Sequence, residues 1–146
     1  MVSETRRGFA STTRMSVEKI IVWIRRELRV QDHVALWSAT QDAASVIPLY
    51  IIDKAFLSSS PSKQLVVLKS LRMLRDELKK LGGNLFLRMG ESHEVLVRLA
   101  RETGAAGVYL TRSYEPGIVK SDAKVRALIE AQGKVFRDFK DDVIFE

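Results

Sequence analysis

The chain has 146 residues, of which 46% are apolar and 29% charged, a composition that fits one globular domain rather than a disordered chain. It contains no cysteine, which excludes disulfides, thiolate metal sites and a cysteine nucleophile, and it has no apolar run near the ~20 residues of a membrane span. We therefore expect a cytoplasmic protein with no membrane segment, and its net charge of +6 permits contact with phosphates or nucleic acid.

Residues 1–15 are rich in serine, threonine and arginine and show no apolar periodicity. We expect this stretch to be a disordered N-terminal extension and residues 16–146 to form the domain. Two origins fit the extension: a short organelle-targeting segment, or an upstream start with Met15 as the true initiator.

Five short apolar runs alternate with helical patterns along the rest of the chain. The predicted strands span residues 19–24, 45–53, 84–89, 107–111 and 134–139, and the predicted helices span 33–43, 63–81, 92–103 and 118–132. Asp32 and Ser92 are expected to cap helices. This alternation predicts an α/β fold, a sheet of five parallel strands with helices on both faces.

The long helix over 63–81 has an apolar stripe and a basic face. Residues at three- and four-residue steps are expected to face inward: Val67, Leu68, Leu71, Leu74, Leu78 and Leu81. The basic side chains off that stripe are expected to be a solvated face rather than a DNA contact: Lys69, Arg72, Arg75, Lys79 and Lys80.

The motifs of several enzyme classes are absent. Arg25-Arg26-Glu27 follows the first strand in place of Gly-x-Gly-x-x-Gly, and the sequence has neither a phosphate loop nor a Gly-x-Ser-x-Gly elbow. These absences count against a dehydrogenase, a nucleotide hydrolase and an α/β-hydrolase. In an open parallel sheet a ligand binds at the carboxyl ends of the strands, where the strand order reverses, so a ligand is expected there.

The segment over 21–29, Ile-Val-Trp-Ile-Arg-Arg-Glu-Leu-Arg, resembles the opening of the photolyase/cryptochrome family. In that family the first strand runs into Trp-Phe-Arg-Arg-Asp-Leu-Arg, and here Ile24 and Glu27 replace the Phe and the Asp. The similarity extends over residues 19–145 and includes Ile51-Ile52-Asp53, Tyr114-Glu115-Pro116 and Asp122. The resemblance implies the N-terminal α/β domain of the family, whose sheet is doubly wound and Rossmann-like with the strand order 3-2-1-4-5. This domain often holds an antenna chromophore that passes excitation to a flavin.

The resemblance also implies what this chain lacks. In the family the FAD, the pyrimidine-dimer pocket and the tryptophan chain belong to a helical domain that follows. We expect an isolated antenna-type domain with no catalytic residue, no dimer repair by itself and DNA contact only through the helical FAD-binding domain as partner. The face left exposed would favour contact between copies of the chain, with Val143, Ile144 and Phe145 as candidates.

The resemblance implies candidate antenna contacts at positions matching the deazaflavin- or flavin-binding members: Ile24, Arg25, Ile52, Asp53, Ser113 and Glu115. Arg25 would meet a phosphate or carbonyl, and Asp53 and Glu115 would accept hydrogen bonds from a ring N–H or ribityl hydroxyls. Folate-binding members use an Asn-Glu pair where this chain has Gly117 and Ile118, which counts against folate. Members with an empty crevice also exist, so the presence of an antenna stays open.

Each candidate also has a structural alternative. Arg25, Arg26 and Arg29 could form ion pairs with Glu27, Asp32 or Asp53, and Asp53 could cap a turn. Glu115 could accept from backbone amides, Trp23 is expected in the core, and His33 is expected to be solvated. Two other readings of the whole chain are a stand-alone nucleotide-binding or stress-protein-like α/β module and an interaction module for a separate helical subunit.

Overall fold

The computed structural model describes residues 17–141, and they contain one sheet of five strands. The strands are β1 (Val17–Ile24), β2 (Ala43–Ile52), β3 (Phe86–Met89), β4 (Gly107–Thr111) and β5 (Val135–Phe139). All are parallel and lie in the order β3-β2-β1-β4-β5, which confirms the predicted topology. The expectations for residues 1–15 and for Val143, Ile144 and Phe145 fall outside the described residues.

The helices cover both faces of this sheet. They are α1 (Val34–Asp42), α2 (Lys54–Leu57), α3 (Pro61–Lys80), α4 (Ser92–Thr103) and α5 (Pro116–Glu130). Alternate residues of β1 contact opposite layers: Ile20 and Val22 belong to the core with α1 and α3, whereas Ile21 and Trp23 belong to the core with α4 and α5. A strand buried on both faces has no polar alternation, which explains the continuous apolar run and confirms Trp23 as a core residue.

The inward stripe of α3 is shorter than predicted. Leu71, Leu74 and Leu78 are buried, but Leu68 and Leu81 are exposed, so their assignment to the core was wrong. Leu68 lies in the turn before Leu71, where the buried stripe begins, and Leu81 is the C-cap, beyond the last helical residue. The basic side chains of α3 are exposed, as predicted for a solvated face.

Two helix caps differ from the prediction. His33, not Asp32, caps α1, and its Nδ1 accepts a hydrogen bond from the Leu36 N–H at 3.1 Å. His33 is buried rather than solvated because its ring lies between the Leu36 N–H and the Glu27 carboxylate. Asp32, just before it, has a left-handed φ of 58°. Ser92 is the first residue of α4, which has Glu91 at its N-cap position and no side-chain cap.

Candidate functional site

A cleft of about 690 Å³ lies at the carboxyl edge of the sheet, between the ends of β1 and β4. The strand order reverses between these two strands, so the cleft is where an open α/β sheet binds ligands. Its walls are the loop after β1, the loop after β4 and the start of α5. We call it the arginine cleft because its lining includes four guanidinium groups, those of Arg25, Arg26, Arg29 and Arg112.

A buried carboxylate shapes the loop after β1. The Glu27 side chain accepts hydrogen bonds from the backbone N–H groups of Arg25 at 3.4 Å and Arg26 at 3.3 Å. The Nδ1 of His33 is an acceptor, so its ring proton resides on Nε2, which lies 3.6 Å from Glu27 Oε1. Burial opposes ionisation, but the nearby His33 ring and the hydrogen bonds from the backbone prevail and lower the pKa of Glu27 to about 2. At 3.6 Å from Glu27, His33 Nε2 is beyond hydrogen-bond distance and has no hydrogen-bond partner within residues 17–141.

Arg25 joins three elements at the back of the cleft. Its Nη1 donates to both carboxylate oxygens of Asp122, at 2.9 and 3.0 Å, and its Nη2 donates to the Thr111 carbonyl at 2.7 Å. The guanidinium also stacks over the Trp23 ring, 4.7 Å from its centroid. Burial raises the pKa of Asp122, and Arg25 offsets this only in part. The structure therefore places Arg25 in an ion pair, with Asp122 as the partner.

The other three arginines surround the mouth of the cleft. Arg26 pairs with Glu115 across the mouth, and both side chains are exposed. Arg29 donates to the carbonyls of Gln31 and Asp32 and contacts Asp141 at 3.4 Å. Arg112 donates to Asp138 on β5 at 3.1 Å.

The six predicted antenna contacts do not all lie together. Arg25, Ser113 and Glu115 line the arginine cleft, where the Ser113 hydroxyl accepts from the Glu115 N–H at 3.2 Å. The Ile24 side chain is fully buried in the core on the α1 and α3 side. Ile52 is half-buried beside that same core.

Asp53 lies apart from the cleft. Its Oδ1 accepts from the Phe56 N–H at 3.0 Å, so it caps α2, as the structural alternative predicted. It lines a separate cavity of about 210 Å³ that also contacts Ser121 and Lys124 of α5. Of the six predicted contacts, three therefore line the arginine cleft, one lines the cavity beside Asp53, and Ile24 and Ile52 line neither.

Two residues that shape the cleft have roles that the sequence did not predict: Glu27, expected as an ion-pair partner of the arginines, accepts from backbone N–H groups, and Asp122 pairs with Arg25. Glu27 occupies the position where the family motif has an acidic residue, and this match was the one indication in the sequence that its carboxylate is important. Asp122 follows the Tyr-Glu-Pro segment at a recognised place, but no local pattern indicates that it pairs with Arg25, which is 97 positions away.

Two kinds of feature are absent from residues 17–141. These residues include no group of three or more His, Asp or Glu side chains placed to hold a metal ion. No helix in this part of the chain has the length and apolar character needed to cross a membrane.

The topology and the cleft together define a doubly wound α/β domain with an open cleft at its carboxyl edge. The family model "DNA photolyase" matches residues 20–146, and the chain belongs to that family, whose N-terminal part it represents. This confirms the resemblance seen in the sequence. It favours a photolyase/cryptochrome domain over an unrelated α/β module that shares only the architecture.

Relatives in three organisms illustrate the match. The chain is 32% identical over 133 residues to the blue-light photoreceptor PHR2 of Arabidopsis thaliana, covering 86% of this chain and 30% of that protein. A bacterial class III photolyase from Agrobacterium tumefaciens superposes with a TM-score of 0.77 at 32% identity, over 92% of this chain and 27% of that one. An archaeal photolyase from Sulfolobus tokodaii gives a TM-score of 0.76 at 29% identity, over 84% and 29% of the two chains. The chain therefore spans less than a third of each relative.

Proposed function

We propose that this chain is an antenna domain that binds a flavin or deazaflavin in the arginine cleft. In this proposal the bound ring absorbs light and passes excitation to FAD held by a helical domain or subunit in the cytoplasm. The observation that carries the proposal is the open cleft at the point where the strand order reverses. The Sulfolobus relative, described with two FAD molecules and a novel light-harvesting cofactor, supports a flavin in this class of domain.

The size and lining of the cleft fit a flat, partly polar ring. A volume of about 690 Å³ lies within the roughly 300–1,000 Å³ of small-molecule pockets. Tyr114 lines it with a largely exposed aromatic ring on which a ligand ring can stack, and Pro116 and Ile118 add apolar surface. The Ser113 hydroxyl offers a polar contact. Gly117 and Ile118 bring no polar side chain to the positions where the resemblance requires two for folate.

The cleft predicts which chromophore binds and where. We expect fluorescence titration to show binding of FMN and of a 5-deazaflavin to the purified chain, with methenyltetrahydrofolate bound more weakly. A Ser113→Trp variant fills the arginine cleft and should abolish flavin binding. Ser121→Trp fills the Asp53 cavity instead and serves as the matched control, which should bind flavin as the wild type does.

Two results would contradict this assignment. Tighter binding of the folate would remove the flavin preference. Loss of flavin binding in Ser121→Trp, with binding retained in Ser113→Trp, would move the site to the cavity beside Asp53.

The same proposal predicts that this chain does not repair DNA by itself. The family resemblance assigns FAD and dimer binding to the helical domain, and the chain spans only 27–30% of the relatives described above. The purified chain, supplied with FAD under blue light, should leave a thymine-dimer oligonucleotide unchanged, while a full-length photolyase repairs it in parallel. Repair above the level of a protein-free sample would contradict the prediction.

A further inference from the structure

The four arginines of the arginine cleft differ in how firmly they are held. Arg25 is held by Asp122 and the Thr111 carbonyl, and Arg29 by two backbone carbonyls and Asp141. Arg112 donates to Asp138 through both Nε and Nη2. Within residues 17–141 the Arg26 guanidinium has a single partner, the Glu115 carboxylate.

The Arg26–Glu115 pair is also easy to open. The two side chains are 73% and 53% exposed, so water solvates both charges when they separate. Exposed ion pairs of this kind change an equilibrium constant by a factor of about five at most. The Arg26 guanidinium is thus a cation at the cleft that is paired with the Glu115 carboxylate, and a stronger anion can replace that carboxylate.

We infer that Arg26 receives a phosphate group of the ligand, and that Glu115 occupies this position while the cleft is empty. The inference rests on the proposed function, because the phosphate is carried by a flavin-type ring in the cleft. A phosphate monoester brings a charge of about −1.5 to −2 and three acceptor oxygens, whereas the carboxylate brings −1 and two oxygens. The planar guanidinium can donate two parallel hydrogen bonds to it. The cleft therefore selects a phosphorylated flavin over the same ring without phosphate.

FMN and riboflavin have the same ring and differ only by the phosphate. The ratio of their affinities therefore measures how strongly the cleft prefers a phosphorylated flavin. We expect the wild type to bind FMN about tenfold more tightly than riboflavin, as charge-assisted hydrogen bonds to one phosphate allow. Glu115→Gln removes the competing carboxylate and should raise FMN affinity about two- to fivefold without changing riboflavin affinity. Arg26→Gln should reduce the FMN preference to near one. Raising the salt concentration should weaken FMN binding alone.

Two control variants separate a local effect from bulk charge. Glu77→Gln and Arg75→Gln make the same charge changes on the exposed surface of α3, away from the cleft, and should leave the ratio of FMN to riboflavin affinity unchanged. Equal wild-type affinities for the two flavins would overturn the inference and leave the flavin site standing. The same is true if Glu77→Gln matches the effect of Glu115→Gln. If neither FMN nor riboflavin binds, the inference is overturned, and if the 5-deazaflavin does not bind either, the proposed function is overturned as well.

Discussion

Glu27→Gln should lower the free energy of unfolding by about 2–3 kcal/mol at pH 7, the range for losing a buried, hydrogen-bonded charge. The variant keeps the size of the side chain but removes the negative charge that holds the loop after β1. Its amide N–H₂ could also face the Nε2–H of His33, which places two donors together. Urea denaturation followed by circular dichroism measures the change. The loop carries Arg25 and Arg26, so flavin affinity should fall as well.

The same carboxylate should make the wild type lose stability in acid. Its pKa is depressed from 4.5 to about 2, so its contribution is complete above pH 4.5 and is lost as the pH falls towards 2. The shift corresponds to about 3 kcal/mol over that interval. Glu27→Gln should flatten this part of the stability profile. Glu94→Gln is the matched control, because Glu94 also faces a histidine but on the exposed surface of α4, and its profile should follow the wild type. An unchanged acid slope in Glu27→Gln would contradict the assignment.

Asp122→Ala should be the second strongly destabilising change, by about 2–3 kcal/mol, because it leaves the Arg25 guanidinium buried beside Trp23 without its carboxylate. Arg25→Met should also destabilise the fold. Burial already raises the pKa of Asp122, and loss of the arginine removes the charge that opposes this rise. Thermal unfolding monitored by circular dichroism gives both effects.

The double variant decides whether this pair acts as a unit. Arg25→Met with Asp122→Leu replaces two largely buried charges by apolar groups and should be less destabilised than either single change. Arg112→Gln breaks a more exposed pair at the same edge of the sheet and should have a much smaller effect. Additive losses in the double variant would show that the two residues contribute independently.

The fold could be predicted from the sequence because its signals are local. Apolar runs, helical periodicity and the alternation of strand and helix are set by residues close in the chain, and they led to the five parallel strands. The order of the strands came with the family resemblance. The errors at this level have local causes too. The residue that caps α1 is His33 because the turn places its side chain, and not that of Asp32, next to the first turn of the helix. The left-handed conformation of Asp32 in that turn could not be predicted from the sequence.

The sequence by itself determined the family, the sheet and the edge of the sheet at which a cleft forms. Only the tertiary structure decided which charges meet there. Arg25 pairs with Asp122 and Arg26 with Glu115 across 97 and 89 positions, and the helix α5 that carries Asp122 brings both partners to the end of β1. The same packing places Asp53 in a separate cavity. Such pairings form when helices and strands pack together in the folded protein. They cannot be predicted from local sequence patterns, because nothing near a residue in the chain indicates a partner that is many positions away.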